Sequence, residues 1–353
     1  MAIKLEPPLE PMEALAVDGL PIGRVWQYEP KWDGFRCLAF RDGEHIYLQS
    51  KSGKPLDRYF PELVAALSEV RVRQFVLDGE IAIPVAGRLS FDDLLQRIHP
   101  AKSRVLKLAG EHPAIFIVFD LLAGERGNSI FGEPLDRRRE QLEKFAVRHL
   151  AGNKIVRLSP ATTSLAKAKK WLDSSGGNLD GVIAKLRDQP YRSGERDGMQ
   201  KIKRRHTADC VVGGFRYAEG QRVVGSLLLG LYDEEGLLHH VGFTSSFRDQ
   251  DRKQLTESVK PLIEPPGFTG RAPGGPSRWS TKRSSEWQPL RTNLVVEVDY
   301  DHFTGGRFRH GTKLLRWRPD KAPRQCKMDQ VLVARGATLK LLQQRPSSVA
   351  GRR

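Results

Sequence analysis

The residues with the most chemistry to offer fall in five short strings. The first is Glu29-Pro30-Lys31-Trp32-Asp33-Gly34-Phe35-Arg36. Ser50-Lys51-Ser52-Gly53, Asp78-Gly79-Glu80, Asp180-Gly181-Val182-Ile183-Ala184-Lys185 and Lys201-Ile202-Lys203 follow in order. None is informative alone, since a Lys-x-Asp-Gly string is also ordinary hairpin material. Together they combine lysines with carboxylates, which suits phosphoryl chemistry on a nucleotide. A lysine amine can attack the α-phosphorus of a triphosphate, forming a phosphoramidate and releasing pyrophosphate. It must first lose its proton, and at an ordinary lysine pKa of about 10.4 well under ~0.1% is neutral at pH 7. Neighbouring cations and a divalent metal lower that pKa, further lysines clamp phosphate oxygens, and carboxylates hold the metal.

For these side chains to converge on one cleft, each string must sit at the end of a strand. The pattern around them agrees. Val25–Tyr28, Phe35–Phe40 and His45–Gln49 read as short strands, with Asp42-Gly43 a hairpin signal between the last two. Phe75–Leu77 and Ile81–Ile83 read as two strands flanking an Asp-Gly-Glu turn. Ala114–Leu122 is a near-continuous apolar run, the mark of a buried strand. A helix is predicted from Pro61 with Leu63, Val64 and Leu67 on one face, and another from Ser90, which caps it. Further helices are predicted around 136–149 and 164–174, and Gly181–Ala184 is a strand.

After Arg205 the texture changes to strands only: Cys210–Phe215, Ser226–Tyr232, Leu237–Phe243 and Leu294–Tyr300 alternate with Gly-rich turns. Pro261 to Pro276 reads as a long surface loop. The expected division is an α+β domain over 1–205 and a small β-barrel with a basic C-terminal tail over 206–353.

The chain has 353 residues, 58 Lys+Arg against 42 Asp+Glu, and a net charge of +16. Eleven of those charges lie between His302 and Arg353, where the only acids are Asp320 and Asp329. A basic end of this kind suits a polyanion, most simply nucleic acid. Cys37, Cys210 and Cys326 form no CxxC pair and are odd in number, a reduced-cytosol pattern without a disulfide framework or zinc site. No apolar run approaches the roughly 20 residues of a membrane span, and no secretory signal is visible. His239-His240 lack metal-binding company and read as surface or strand-end residues. Trp171 and Trp287 read as core anchors.

In this order the motifs resemble the nucleotidyltransferase motifs of ATP-dependent DNA ligases. They are Lys-x-Asp-Gly-x-Arg, Asp-Gly-Glu, an aromatic-Asp after an apolar strand, Asp-Gly-Val-Ile-Ala-Lys and Lys-x-Lys. Arg316-Trp317-Arg318-Pro319-Asp320-Lys321 looks like the last motif of the set. The match runs from about residue 10 to 333 and is nearest the small bacterial C type and the ligase module of end-joining enzymes. The fold it implies is an α+β, ATP-grasp-like nucleotidyltransferase of mainly antiparallel sheets with helices, followed by an all-β oligonucleotide-binding (OB) barrel.

By this resemblance Lys31 is the nucleophile that becomes adenylated, Glu29 reads the adenine amino group and Arg36 holds the ribose. Glu80 holds the ribose hydroxyl or a metal. Phe119, before Asp120, stacks on adenine, and Ile183 covers its other face. Lys185, Lys201 and Lys203 surround the α-phosphate. Arg318 and Lys321 orient the pyrophosphate when the barrel closes by a hinge near 204–207. Three positions depart from the pattern: Lys51 stands where the family has arginine, Asp180, a metal ligand, replaces glutamate, and Met199 replaces an aromatic residue. Lys lacks arginine's bidentate fork for phosphate.

The activity implied is ATP-dependent sealing of 5′-phosphate/3′-hydroxyl breaks in DNA repair, through lysyl-AMP and adenylated DNA. ATP is the AMP donor, and Mg2+ or Mn2+ the metal. The expected partner is nicked or broken double-stranded DNA. Repair proteins could deliver a monomeric bacterial cytosolic enzyme to it, since only 30 residues precede Lys31 and leave no room for a DNA-encircling domain. Gly305–Gly311 mixes basic and aromatic residues as a surface tracking a nucleic-acid backbone would. Two rival readings stay open: an RNA ligase or GTP-dependent capping-type enzyme, and a dead transferase domain carrying a nucleic-acid-binding barrel.

Overall fold

The computed structural model describes residues 5–174, 179–204, 206–274, 286–331 and 338–343. The chain divides into two compact units, 1–204 with 335–353, and 205–334.

The first unit is built on two sheets. The larger runs His45–Ser50, Phe35–Asp42, Gln74–Ala82, Ile115–Ala123 and Val156–Leu158, antiparallel except for its last pair. The smaller runs Leu15–Val17, Met199–Ile202, Leu179–Leu186 and Trp26–Trp32, with its first pair parallel. Ile115–Ala123 is buried along its whole length, as its unbroken apolar run requires. Because side chains alternate along a strand, Phe116 and Val118 pack with the helices Pro61–Ser68 and Leu135–His149. Ile115 and Ile117 face the other way, toward Trp32, Trp171 and Val182. Proline opens the first of those helices, burying Leu63, Ala66 and Leu67. Ser90 caps the helix Phe91–Arg97 by accepting from Asp93 N at 3.2 Å. The helix Leu165–Asp173 falls where the sequence pattern places it, whereas Lys102–Glu111, with Val105 its one buried residue, carries too little pattern to be read.

Three local expectations are corrected here. Asp78-Gly79-Glu80 is no turn: Gln74–Ala82 is one strand, and Gly79 pairs with Cys37 on one side and Val118 on the other. Ladders on both edges outweigh the local turn preference of Asp-Gly. His240 is buried in mid-strand beside Phe268, at 7% exposure, rather than at a surface. Phe268, in the stretch read as a surface loop, is itself a core residue.

The second unit is a mainly antiparallel sheet in the order Leu238–Thr244, Val224–Tyr232, His206–Tyr217, Val295–Tyr300 and Lys313–Trp317. Gln288–Pro289 also pairs with the long central strand. The two edges meet where Thr312 N donates to Phe243 O at 3.1 Å and Thr244 Oγ1 donates to Thr312 O at 2.9 Å. The helix Asp249–Val259 interrupts a region expected to hold strands only. Its sequence is polar apart from Leu255 and Val259, whose i,i+4 spacing is the one helical cue.

After this unit the chain returns. Leu339, Leu341 and Leu342, within the turn Thr338–Gln343, pack on the cluster of Tyr28, Trp32 and Trp171 in the first unit. The sequence reading assigned them to the barrel domain. Arg205 in the expected hinge, Pro276 at the end of the expected loop, and the basic tail from 344 lie outside the described residues. Among the described residues no helix is long and apolar enough to cross a membrane.

Candidate active site

Nine of the ten residues expected to contact the nucleotide, all but Lys203, line one pocket of the first unit. Lys31 lies on Trp26–Trp32, opposite Gly181 in the antiparallel partner Leu179–Leu186. The register shifts between Leu179 and Gly181, which leaves Asp180 as a bulged residue. A bulge re-aims a side chain, and this one brings the buried Asp180 carboxylate into contact with Lys31 Nζ and within 3.1 Å of Lys203 Nζ. Gly181 holds φ at +132°, and a Cβ there would stand 2.0 Å from Ile202 O. Only glycine allows the end of the strand Met199–Ile202, which carries Lys201 and leads into Lys203, so close. The aspartate, although one methylene shorter than glutamate, reaches Lys31 Nζ.

Gly34 does the same on the other side. A Cβ on it would lie 2.1 Å from Ile81 O and 2.9 Å from Glu80 Cγ, so the Asp33-Gly34 corner sits directly on Glu80. Burial raises the Glu80 carboxyl to about 7; Lys31 and Arg36 oppose the shift, and Asp33 and Asp78 reinforce it. Near neutral pH Glu80 can therefore either donate or accept a hydrogen bond.

On the wall expected to hold the base, Glu29 is 2% exposed. One of its oxygens accepts from Gln27 Nε2 at 2.8 Å and the other pairs with Lys185 Nζ at 2.8 Å. The Phe119 ring centre lies 4.6 Å from both Arg36 Cζ and Lys185 Nζ, a cation–π arrangement. Ile183 and Met199 also line the pocket, and Met199 is buried. Beneath them Asp78 grips Arg36 through two oxygens, at 2.5 Å to Nε and 2.6 Å to Nη2. It also accepts from Tyr191 Oη at 2.7 Å. Burial alone would discourage the Arg36 charge, but Asp78 outweighs it and keeps the guanidinium firmly protonated. Asp120, the acid of the aromatic-Asp pair, bonds Arg138 at 2.9 and 3.0 Å and serves the scaffold.

At the mouth Lys51 pairs with Glu13, Nζ to Oε1 2.9 Å. Lys201 stands among cations: burial first, then Lys31, Lys203, Lys51 and Arg196, push its amine below the ordinary lysine range. In the second unit Arg318 Nη1 lies 2.8 Å from Asp209 Oδ1, and Lys321 Nζ 3.3 Å from Oδ2 of the same carboxylate.

Sequence reasoning missed Glu13, Gln27 and Tyr191, and passed over Asp78 as the anchor of Arg36 although it stands inside a quoted string. Among the described residues no cluster of three or more His, Cys, Asp or Glu side chains could cage a metal alone. Asp180 and Glu80 offer hard oxygen donors, which suit Mg2+ or Mn2+ when phosphate oxygens and water complete the shell.

A strand-borne lysine against a bulged carboxylate, ringed by cations and backed by an aromatic wall, is equipment for taking a nucleotide from a triphosphate. The chain belongs to the ATP-dependent DNA ligases: residues 15–203 match the ATP dependent DNA ligase domain and residues 220–321 the ATP dependent DNA ligase C terminal region. It is 46% identical to DNA ligase C1 of Mycolicibacterium smegmatis over 343 residues, 94% of this chain and 96% of the relative. It is 42% identical to DNA ligase C of Mycobacterium tuberculosis, again over 94% and 96% of the two chains. A solved structure of a Lig E DNA ligase shares the fold, with a TM-score of 0.53 at 17% identity over 87% of this chain and 99% of that one.

Proposed function

We propose that this ligase seals 5′-phosphate/3′-hydroxyl breaks in duplex DNA during repair, with Lys31 as the carrier of AMP. Lys31 Nζ attacks the α-phosphorus of ATP; an N–P bond forms and pyrophosphate leaves. The 5′-phosphate of the break then displaces the lysine, giving a P–O–P link to AMP. The 3′-hydroxyl attacks that 5′-phosphorus, closing the phosphodiester and releasing AMP. The observation that carries this reading is the convergence of Lys31 with the other eight expected contacts on one pocket.

Before the first step Lys31 must give up a proton. Lys203 Nζ lies 3.1 Å from Asp180 as well, so Lys31 shares that carboxylate with a second cation. Glu29 and Phe119 would fix the base, while Arg36 and Glu80 would meet the ribose. Lys185, Lys201 and Lys203 would hold the α-phosphate. A divalent Mg2+ or Mn2+, held by Asp180, Glu80 and phosphate oxygens, would neutralise charge on the triphosphate. The second unit is read as an OB barrel, from its antiparallel order and the Thr244–Thr312 seam. Arg318 and Lys321 would leave Asp209 to orient pyrophosphate.

Incubation with α-labelled ATP tests the nucleophile. Lys31→Ala is expected to abolish the covalent label, and a labelled variant would overturn the assignment. Labelling by GTP alone would favour the capping-type alternative.

A further inference from the structure

Three side chains of the strand Trp26–Trp32 stand in one row. Gln27, Glu29 and Lys31 alternate onto the same face, each step about 6.6 Å along the strand. Tyr28 and Trp32 point the other way, into the apolar cluster with Trp171. Across the ladder Gln27 is paired with Lys185, Glu29 with Ile183 and Lys31 with Gly181. Glu29 lines the pocket, and Gln27, 5% exposed, lies one step further from Lys31.

The two oxygens of Glu29 have partners of different kinds. Oε1 accepts from Gln27 Nε2 at 2.8 Å, and Oε2 pairs with Lys185 Nζ at 2.8 Å. A lysine is drawn to phosphate, and in the proposed function Lys185 turns to the α-phosphate, so the nucleotide itself breaks the second bond. Gln27 is uncharged and sits at the far end of the row, so the first bond stays. A buried carboxylate with one oxygen fixed and the other released has a single direction in which to accept. It cannot donate, and the adenine N6 amino group donates where guanine O6 only accepts. A buried acceptor left unpaired costs free energy, so a nucleotide lacking a donor at that place is rejected.

We propose that Gln27 is a positioning residue for base selection: it fixes Glu29 so that the oxygen released by Lys185 accepts from the 6-amino group of the purine. The inference rests on the nucleotidyl-transfer reading and deepens it. Gln27 touches neither the nucleotide nor the reacting atoms, and acts through Glu29 alone.

The test is covalent nucleotide labelling of the full-length protein with α-labelled ATP and with α-labelled purine riboside triphosphate, which lacks the 6-amino group. The ratio of the two efficiencies within one protein is independent of how much of it is folded. Wild type is expected to favour ATP. Gln27→Met removes the donor at similar volume and should cut that preference about tenfold, by raising the half-saturating ATP concentration while the analogue stays as it was. Gln27→Glu sets an acceptor against the carboxylate and should cut it at least as far. Added to Glu29→Gln, Gln27→Met should change the preference no further, because both act on one contact. If Gln27→Met weakens both nucleotides alike, or keeps the wild-type preference, Gln27 is packing and the proposal is overturned. A wild type that labels on Lys31 without favouring ATP removes the base contact of Glu29 and the proposal with it. A wild type that takes no label from either nucleotide sinks the nucleotidyl-transfer reading itself, and the proposal falls with it.

Discussion

In the first unit Arg36 is gripped by an aspartate that is wholly buried and shares its second role only with Tyr191. In the second unit Arg318 has three acids in reach: Asp209 and Asp320, each at 2.8 Å, and Glu297 at 4.0 Å. Lys321 shares the first of them. Both arrangements are arginine–aspartate bridges, yet among the described residues Arg36 pairs with one acid, with the Met12 carbonyl at 3.4 Å beside it, and Arg318 pairs with three. A cation meant to stay in place is best locked to a single desolvated partner, because removing that partner strands a charge. A cation that must change partners during a reaction is better served by interchangeable acids near water.

The comparison is sharpest at Asp78. Asp78→Ala removes the one carboxylate that pairs with Arg36 among the described residues and the acceptor of the Tyr191 hydroxyl, and is expected to destabilise the first unit by about 3–5 kcal/mol in denaturant unfolding. A loss below ~1 kcal/mol would mean that Arg36 finds another acid and that the contrast is false. A second, smaller effect concerns Glu80. Its folded pKa of about 7 lies above the ordinary 4.5, so the native state binds a proton that the unfolded chain releases between those values. Stability therefore falls as pH rises from about 4.5 to 7 and levels off above. Glu80→Gln should remove that slope, gaining on wild type by up to ~3 kcal/mol across the window. Unfolding curves at pH 5 and pH 8 measure it, and parallel pH profiles would show that burial of Glu80 is not what shifts it. The least change is expected from Asp209→Asn, where Arg318 keeps Asp320: the unfolding midpoint should stay within about 2 °C. A large drop would make the Arg318 bridge scaffolding, like that of Arg36.

Much of the pocket was legible because its residues sit in short strings at strand ends, where residue type and order carry the message. Lys31, Glu29 and Arg36 lie within one octet, and Lys201 and Lys203 within three residues. What escaped is what depends on distance along the chain. Glu13 meets Arg196 across 183 positions, and Tyr191 meets Asp78 across 113, with no periodicity to announce either. Asp78-Gly79 was misread because a local turn preference yields to hydrogen bonding on both edges of a central strand. The helix Asp249–Val259 escaped because two apolar residues are too few for a period, and the burial of His240 because a strand's inward face is set by partners that a linear pattern does not name. The Asp180 substitution looked like a shortened reach, but a bulge, invisible in composition, restores it.

The docking of Leu339, Leu341 and Leu342 beside Trp171 makes the second unit an insertion rather than an appendage. The polypeptide that leaves the first unit at Arg204 comes home to complete it, so the hydrophobic filling of that unit is not finished until the inserted sheet has been synthesised. On the ribosome the lysine-bearing unit thus emerges first, and three of the leucines packed on its Trp171 cluster emerge last.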